Sequence, residues 1–514
     1  RAEGRLQGQA PRPALTAPPT RTPGPHCRSG RPPSLMAATA QERYDVCIVG
    51  AGPGGLAALS AVLEPYSVDL LSQDQVERAA RSAQPERLSV CVVDPQPWLA
   101  CWKARFAALD IGWLRSPSMA HPDAFDSWSL AEFARAHGRE SELQGNGSEY
   151  WKAIGGLGQT QAGFYNLPSS ELFIDFCDDL VARLPHDFVR GQAVSVCGED
   201  GAYSVKLSDG GAIAAGAVVL ALGVPGPRIV PPAFQQVPAE LAFHTEDLGR
   251  LAELREGWRV LVVGGGLTAV QAAQLAVKRG CKATLCSRRQ LVTRNFDIPI
   301  EWFDPRTQGR LRHDFWAEPL EARLQRLRAA KGGGSVPLKY MEELRAAEAA
   351  GRAEVVCAEA EVVRVGDEGV DVKLAGRTRH FNRIVLACGH RPDCLALPLL
   401  RDLCSRWPVP VVGGLPVVSK DLQWGERQVF VVGALAGLAV GPDAANLMGC
   451  RRAAQVVAVG LGLHAWQRSE QRLCAPFPVA GNRYSALLAD SDDECSTDAE
   501  TVDTSADTSG SSSP

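Results

Sequence analysis

YDVCIVGAGPGGLAAL (residues 44–59) runs from an apolar stretch through Gly50, Gly52, Gly54 and Gly55 into an Ala/Leu-rich stretch. An unbroken apolar run reads as a strand buried on both faces of a parallel sheet. Gly50, Gly52 and Gly55 stand in a G-x-G-x-x-G pattern. The first glycine permits a tight turn, the second lets backbone approach a pyrophosphate, and the third lets helix and strand pack closely. The following helix start supplies free N–H groups and a dipole that attract phosphate. The stretch therefore reads as a dinucleotide-binding turn.

The next strand lies in LSVCVVDPQPWLACW (88–102) and ends on Asp94. An acid that holds a ribose is expected about 20 residues after the glycines. Asp94 comes 44 residues after Gly50. Between them lies PYSVDLLSQDQVERAARSAQPER (65–87), where Pro65 stops the first helix. Removing this surface excursion restores the expected spacing, so Asp94 is assigned as the ribose acid.

A second fingerprint occurs in RVLVVGGGLTAVQAAQLAVKRGCKATLCSRR (259–289), with Gly264, Gly266, Thr268 and Ala269 at its turn. The pattern predicts a helix from Leu267 to about Lys278, with Gly280 as its C-cap. No acid ends the next strand; Ser287, Arg288 and Arg289 stand there instead. Arginine pairs with a 2′-phosphate that an acid would repel, which predicts NADPH rather than NADH. The alternative is a pair of solvated surface arginines.

Two further apolar runs, VVLALGVPGP (218–227, containing Gly223) and IVLACGHRPD (384–393), end in A-x-G and then proline. Residues 188–216 alternate like a β-meander, and 429–460 return to strand, glycine turn and helix. The predicted class is α/β: two Rossmann-like dinucleotide-binding domains, an FAD domain with an inserted NADPH domain, and a β-meander in the FAD domain. The expected division is 1–40 disordered, 41–225 FAD domain, 226–390 NADPH domain, 391–465 the returning FAD domain, and 466–514 a disordered tail. A lid is expected within 290–345, where Trp302, Phe303, Arg306 and Trp316 stand; each of these reads first as part of a surface excursion.

The chain has 514 residues, 45% hydrophobic and 22% charged, with a net charge of -4. So weak a charge argues against a general nucleic-acid binder. The 15 cysteines include no C-x-x-C or zinc-finger spacing, which favours a reducing compartment. No apolar run reaches the length of a membrane span. Residues 1–35 are Arg-rich and contain one acid, Glu3, so they read as an upstream translated stretch or the remnant of a targeting peptide. The expected location is the cytoplasm, or an organelle if 1–35 is a transit segment. Residues 490–514 hold eight acids and no basic residue, as a disordered tail does.

With both fingerprints in place, the chain resembles the two-dinucleotide-binding flavoproteins. Within them it is most similar to the flavin-dependent monooxygenases, in the lysine/ornithine N-hydroxylase-like branch. The carrying segment is WKARFAALDIGWLRSPSMAHPDAF (102–125), with Trp102 and the turn Leu114-Arg115-Ser116-Pro117. The resemblance implies bound FAD, hydride delivery from NADPH, and a C4a-peroxyflavin that oxygenates a small nucleophile such as an amine. It also implies that Trp102 and Arg115 lie near the flavin and that Val194 lies near the adenine. Gly433 falls where the family has Gly-Asp, but Ala434 replaces the aspartate; Asp443 or Asn446 are candidates to substitute. Arg115 and His121 are the candidate catalytic residues. Lys103 departs from the branch's usual histidine, and His244 only partly echoes a related monooxygenase signature. No metal site is expected. The same fingerprints also serve an NADPH dehydrogenase or oxidase that passes electrons to quinone or oxygen, and a non-catalytic nucleotide-binding regulator.

Overall fold

Residues 43–63, 88–145, 166–303 and 307–461 are described by a computed structural model, and all belong to one compact unit. The 65–87 excursion, Arg306 and both chain ends lie outside the described residues.

The apolar run at 44–49 forms a strand, Tyr44–Val49, whose last four residues are buried. It pairs in parallel with Val90–Asp94 on one side and Ala212–Leu220 on the other. Asp187–Arg190 extends the sheet beyond Val90–Asp94, again in parallel. The long strand Ala212–Leu220 changes partners along its length. Its first half pairs antiparallel with Ala202–Leu207 of the meander, and its second half pairs in parallel with Val429–Val431. The meander is therefore shorter than its sequence pattern suggested. Asp187–Arg190 is the outer strand of the nucleotide-type sheet, and its half-polar edge burial disguised it.

The helix Pro53–Leu63 is buried from Gly55 to Val62. It is covered by the sheet and by the C-terminal helix Leu447–Gly460. Ala57 and Ala61 meet Ala454 and Ala458 there, and such small side chains let two helices approach closely. Each larger aliphatic residue buried in the adjoining core contributes about 1.5–3 kcal/mol.

The second sheet contains five parallel strands, in the order Ala353–Cys357, Lys282–Ser287, Arg259–Val263, Arg383–Leu386, Ala242–His244. All fall between the two strands 212–220 and 429–431 of the first sheet, so this α/β fold carries one nucleotide-type unit inserted in another. The helix Leu267–Lys278 stands where the sequence placed it; its C-cap is Arg279, not Gly280, and the left-handed Gly280 (φ +77) follows one residue later. The 290–345 segment contributes Gln308–Ala317, Leu320–Lys331 and the start of Leu338–Ala349. Trp302 is 4% exposed and Phe315 fully buried. They anchor a small core of their own with Ile298, Leu327 and Leu438, so Trp302 is not part of a surface excursion.

Candidate functional site: two glycine turns and the cleft between them

At the first turn, Gly50 has φ +115, and a Cβ there would stand 2.4 Å from the Ala221 carbonyl oxygen. A Cβ on Gly55 would fall 1.8 Å from the Gly50 oxygen. Both positions are closed to any other residue. Gly52 instead faces open space, with nothing within 4 Å of its added Cβ. Gly54 looks toward Cys450, and the left-handed Gly433 (φ +80) also approaches that thiol. Asp94 closes the turn. Its Oδ2 accepts from the Ala51 N–H at 2.8 Å and its Oδ1 from the Gln96 N–H at 2.8 Å. The 44-residue separation is therefore no barrier to contact between this acid and the glycine loop.

The second turn repeats the first where its leading glycine meets the two flanking strands. Gly50 N–H donates to Val93 O at 2.9 Å, and Gly264 N–H donates to Cys286 O at 3.0 Å. A Cβ on Gly264 would also stand 2.4 Å from a carbonyl oxygen, that of Ala387. Gly223 and Gly389 follow the two alanines with φ +69 and +73. This correspondence sets Ser287 in the place of Asp94. Ser287 is buried beside Gly265, Arg288 is exposed, and Arg289 donates to the carbonyls of Gly332 and Gly334. Thr268 is exposed at the helix start and Ala269 is buried beneath it.

Around the first turn, Trp102 packs against Phe106 and Phe173, and Lys103 pairs with Asp178 on the helix Ser170–Arg183. Val194 is half-buried in the strand Ala193–Glu199. Arg115 spends its guanidinium on backbone. It donates to Asn295 O at 2.8 Å, Arg294 O at 2.8 Å, Ser335 O at 3.3 Å and Ser335 Oγ at 2.7 Å, and also to Phe296 O. Burial lowers its pKa to about 10, with Asp297 opposing the shift. The LRSP turn is thereby tied to the 290–345 segment.

His121 is fully buried, edge-on to Phe176, with Nδ1 unpartnered and Ser129 Oγ 3.5 Å from Nε2. Burial, aided by Arg451, pushes its pKa down to about 3, so the ring is neutral. Asp443 is fully buried and takes Arg312 (3.2 Å) and Arg452 on one oxygen, leaving the other unpartnered. Asn446 caps the C-terminal helix through Gly449 N–H at 3.0 Å and donates to Asp297 at 3.2 Å. Asp443 and Asn446 thus join the segment's Arg312 and Asp297 to the first unit.

Sequence reasoning missed a cavity of about 150 Å³ lined by Trp113, Leu114, Arg115, Phe296, Lys339 and Tyr340. Lys339 lies over the Trp113 ring at 5.1 Å and donates to Gln144 at 2.9 Å. A neighbouring cavity of about 240 Å³ shares Trp113, Lys339 and Tyr340. The two form a cleft between the units, with aromatic walls and the ammonium groups of Lys339 and Lys278. No sequence signal joins Trp113 to residues some 225 positions away.

Among the described residues, His244, Glu246 and His390 are the group whose donors converge as metal ligands could. Glu246 already carries Arg105 (2.6 Å), Arg228 (3.3 Å) and His390 (2.8 Å). Two guanidinium groups on one carboxylate oppose a further cation, and the cluster reads as an ion-pair network.

Two units of the same build, one inserted in the other and joined by a cleft, define a two-dinucleotide-binding α/β fold. Residues 145–304 match the pyridine nucleotide-disulphide oxidoreductase family. No curated protein sequence matches the chain. Among solved structures, the chain is similar to the Kutzneria ornithine N-hydroxylase with reduced FAD, NADP+ and L-ornithine (TM-score 0.60, 15% identity, covering 82% of this chain and 99% of that one). It is likewise similar to the FAD-bound cadaverine monooxygenase of Erwinia amylovora (0.60, 16%, 86% and 100%). A third similar structure is L-lysine 6-monooxygenase from Pseudomonas syringae (0.56, 20%, 82% and 99%). The chain has the fold of these proteins over nearly their whole length. Among the described residues, no helix is long and apolar enough to cross a membrane.

Proposed function

We propose that this chain is an FAD- and NADPH-dependent oxidoreductase of the monooxygenase kind, acting on a small amine. The observation that carries the reading is the pair of equivalent glycine turns ending in opposite charge, Asp94 at one and Ser287-Arg288-Arg289 at the other. An acid suits a free ribose, and arginine suits a 2′-phosphate.

The first turn fits FAD: Gly52 leaves room for a pyrophosphate, and Asp94 already sits on the loop. Gly50, Gly54, Gly55, Gly223 and Gly433 shape that cradle, with Trp102 and Val194 beside it. Gly264, Gly266, Thr268, Ala269, Arg288 and Arg289 form the NADPH donor set. FAD, reduced by NADPH, would supply the electrons that activate dioxygen for transfer to the amine. Arg115 acts as a positioning residue, because its donors are taken by backbone. His121 is neutral and enclosed, which suits it to packing rather than proton transfer. Asp443 and Asn446 hold the cleft's wall in place, and the Trp113–Lys339–Tyr340 cleft receives the substrate away from bulk water.

The same reading divides the chain into an FAD domain at 41–225 and 391–465 and an NADPH domain at 226–390. It places the protein in the reducing cytoplasm, which the twelve free cysteines of the described residues support.

Purified full-length protein should show flavin absorbance, oxidise NADPH, and convert an added diamine or amino acid to its N-hydroxylated product. Hydrogen peroxide as the sole product with every amine would replace the reading by an NADPH oxidase. Protein that binds neither flavin nor NADPH would end both.

A further inference from the structure

The second glycine of a nucleotide turn is the one that admits the pyrophosphate. At the first turn this position, Gly52, is open. At the second, Gly266 is covered: a Cβ there would stand 3.8 Å from the Cα of Gly334. Conversely, a Cβ on Gly334 would come within 3.0 Å of the Gly266 Cα and 3.5 Å of its nitrogen. The covering stretch is the run Gly332-Gly333-Gly334-Ser335. Its three glycines have φ of +55, +75 and +105, and a Cβ on Gly333 would strike the Arg289 guanidinium at 2.8 Å. Backbone bare of side chains thus lies against the second glycine, on the side that is open at Gly52.

Arginines hold this turn from behind. Arg294 donates to Ala330 O at 2.9 Å, Arg289 to Gly332 O and to Gly334 O at 3.0 Å, and Arg115 to Ser335 O at 3.3 Å. Among the described residues, no hydrogen bond joins the turn to the N–H groups of Gly266, Leu267 or Thr268. The turn therefore covers the helix start without using the donors that an anion would use. A pyrophosphate can take those donors, which the glycine backbone leaves unspent.

Resting on the reading of the second turn as an NADPH site, we propose that the Gly332–Ser335 turn is a plug over it and that Arg289 is the latch a 2′-phosphate releases. Arg289 lies beside the position expected for that phosphate, and its fork accepts either two carbonyls or one phosphate. A dinucleotide with a 2′-phosphate exchanges the carbonyls of Gly332 and Gly334 for its own oxygens, and the turn lifts. NADH has no group to offer Arg289 and must displace the turn while it is still held. Coenzyme choice is then set by the latch as well as by direct attraction to Arg288.

The test uses the full-length protein, with NADPH and NADH as the probes. Gly334→Val places side-chain atoms against Gly266 and strains the turn at φ +105, so it disfavours the plugged state. Its expected effect is at least a fivefold lower Kd for NADH, a smaller gain for NADPH, and a reduced preference between them, with flavin content unchanged. In the unaltered protein, NADPH should speed hydrogen exchange at the Gly334 and Val336 amides, whereas NADH at equal occupancy should speed it less. The exchange measurement decides the matter if Gly334→Val does not fold. Unchanged or weaker NADH binding in a folded variant, or slower exchange at these amides with NADPH, overturns the plug and leaves the NADPH reading standing. Failure of both proteins to bind either nucleotide overturns the plug together with that reading.

Discussion

The two glycine turns share the bond from the first glycine to the neighbouring strand to within a tenth of an ångström, yet differ at the two points where the proposed nucleotides would bind. One strand ends on Asp94 and the other on Ser287 followed by two arginines. One second glycine is open and the other lies under the Gly332–Ser335 turn. Close packing between strand, turn and helix fixes everything else, because Gly50, Gly55 and Gly264 have no room for a side chain. Identity of scaffold thus comes from sterics, and the proposed difference of ligand from what is attached where the scaffold leaves space.

The largest expected effect comes from breaking the shared part. Gly55→Val would drive a side chain into the Gly50 oxygen, and overpacking of this kind costs about 3 kcal/mol or more. The protein should be recovered without flavin or as aggregate; a soluble, yellow Gly55→Val protein would show that the turn is not so constrained. Next is the charged end. Asp94→Ser gives the first turn the residue of the second. Loss of a charge-assisted bond, about 1.5–3 kcal/mol, should weaken FAD retention about ten- to a hundredfold in dialysis. Unchanged occupancy would mean that the acid only closes the loop through Ala51 N–H. The reciprocal change, Arg288→Ala, should raise the NADPH KM about tenfold and leave that of NADH nearly unmoved. An equal rise for both would count Arg288 as surface charge.

The smallest effect concerns His121, buried in the first unit against Phe176. His121 is held neutral, so between pH 6.5 and about 3 the unfolded chain binds a proton that the folded chain refuses. Stability at this site is full above pH 6.5 and falls as pH drops through that window. His121→Gln should make the acid loss of Tm shallower by about 1–3 °C, read by scanning calorimetry. An unaltered slope would place the titrating group elsewhere.

The features legible in the sequence were those that repeat locally. Fingerprints, strand ends and the helix Leu267–Lys278 with Gly280 follow from backbone sterics within about thirty residues of one another. The outer strand Asp187–Arg190 was hidden because an edge strand carries half-polar side chains and merges with the meander behind it. Arg115 stood out as a candidate, but all its acceptors except the Ser335 hydroxyl are carbonyls some 180–220 positions away, which carry no residue signature. The same is true of the pairing of Asp443 with Arg312, the burial of Trp302 and the cleft at Trp113. The run of three glycines at 332–334 reads as a turn in any sequence; only folding reveals that it lies on Gly266.

The grip of Arg115 on the 290–345 segment has one further consequence. It holds main-chain oxygens of residues 294, 295 and 296 together with Ser335, so of these it senses only Ser335 by its side chain. The side chains of Asn295 and Phe296, which line the cleft, take no part in that grip; Asn295 Oδ1 instead accepts from Leu338 N–H at 3.1 Å, and Phe296 packs against Phe303. The wall of this cleft is thus mounted twice, by Arg115 through the main chain and by Asn295 through its side chain, so Phe296 is the position to vary first when its chemical preference is redesigned.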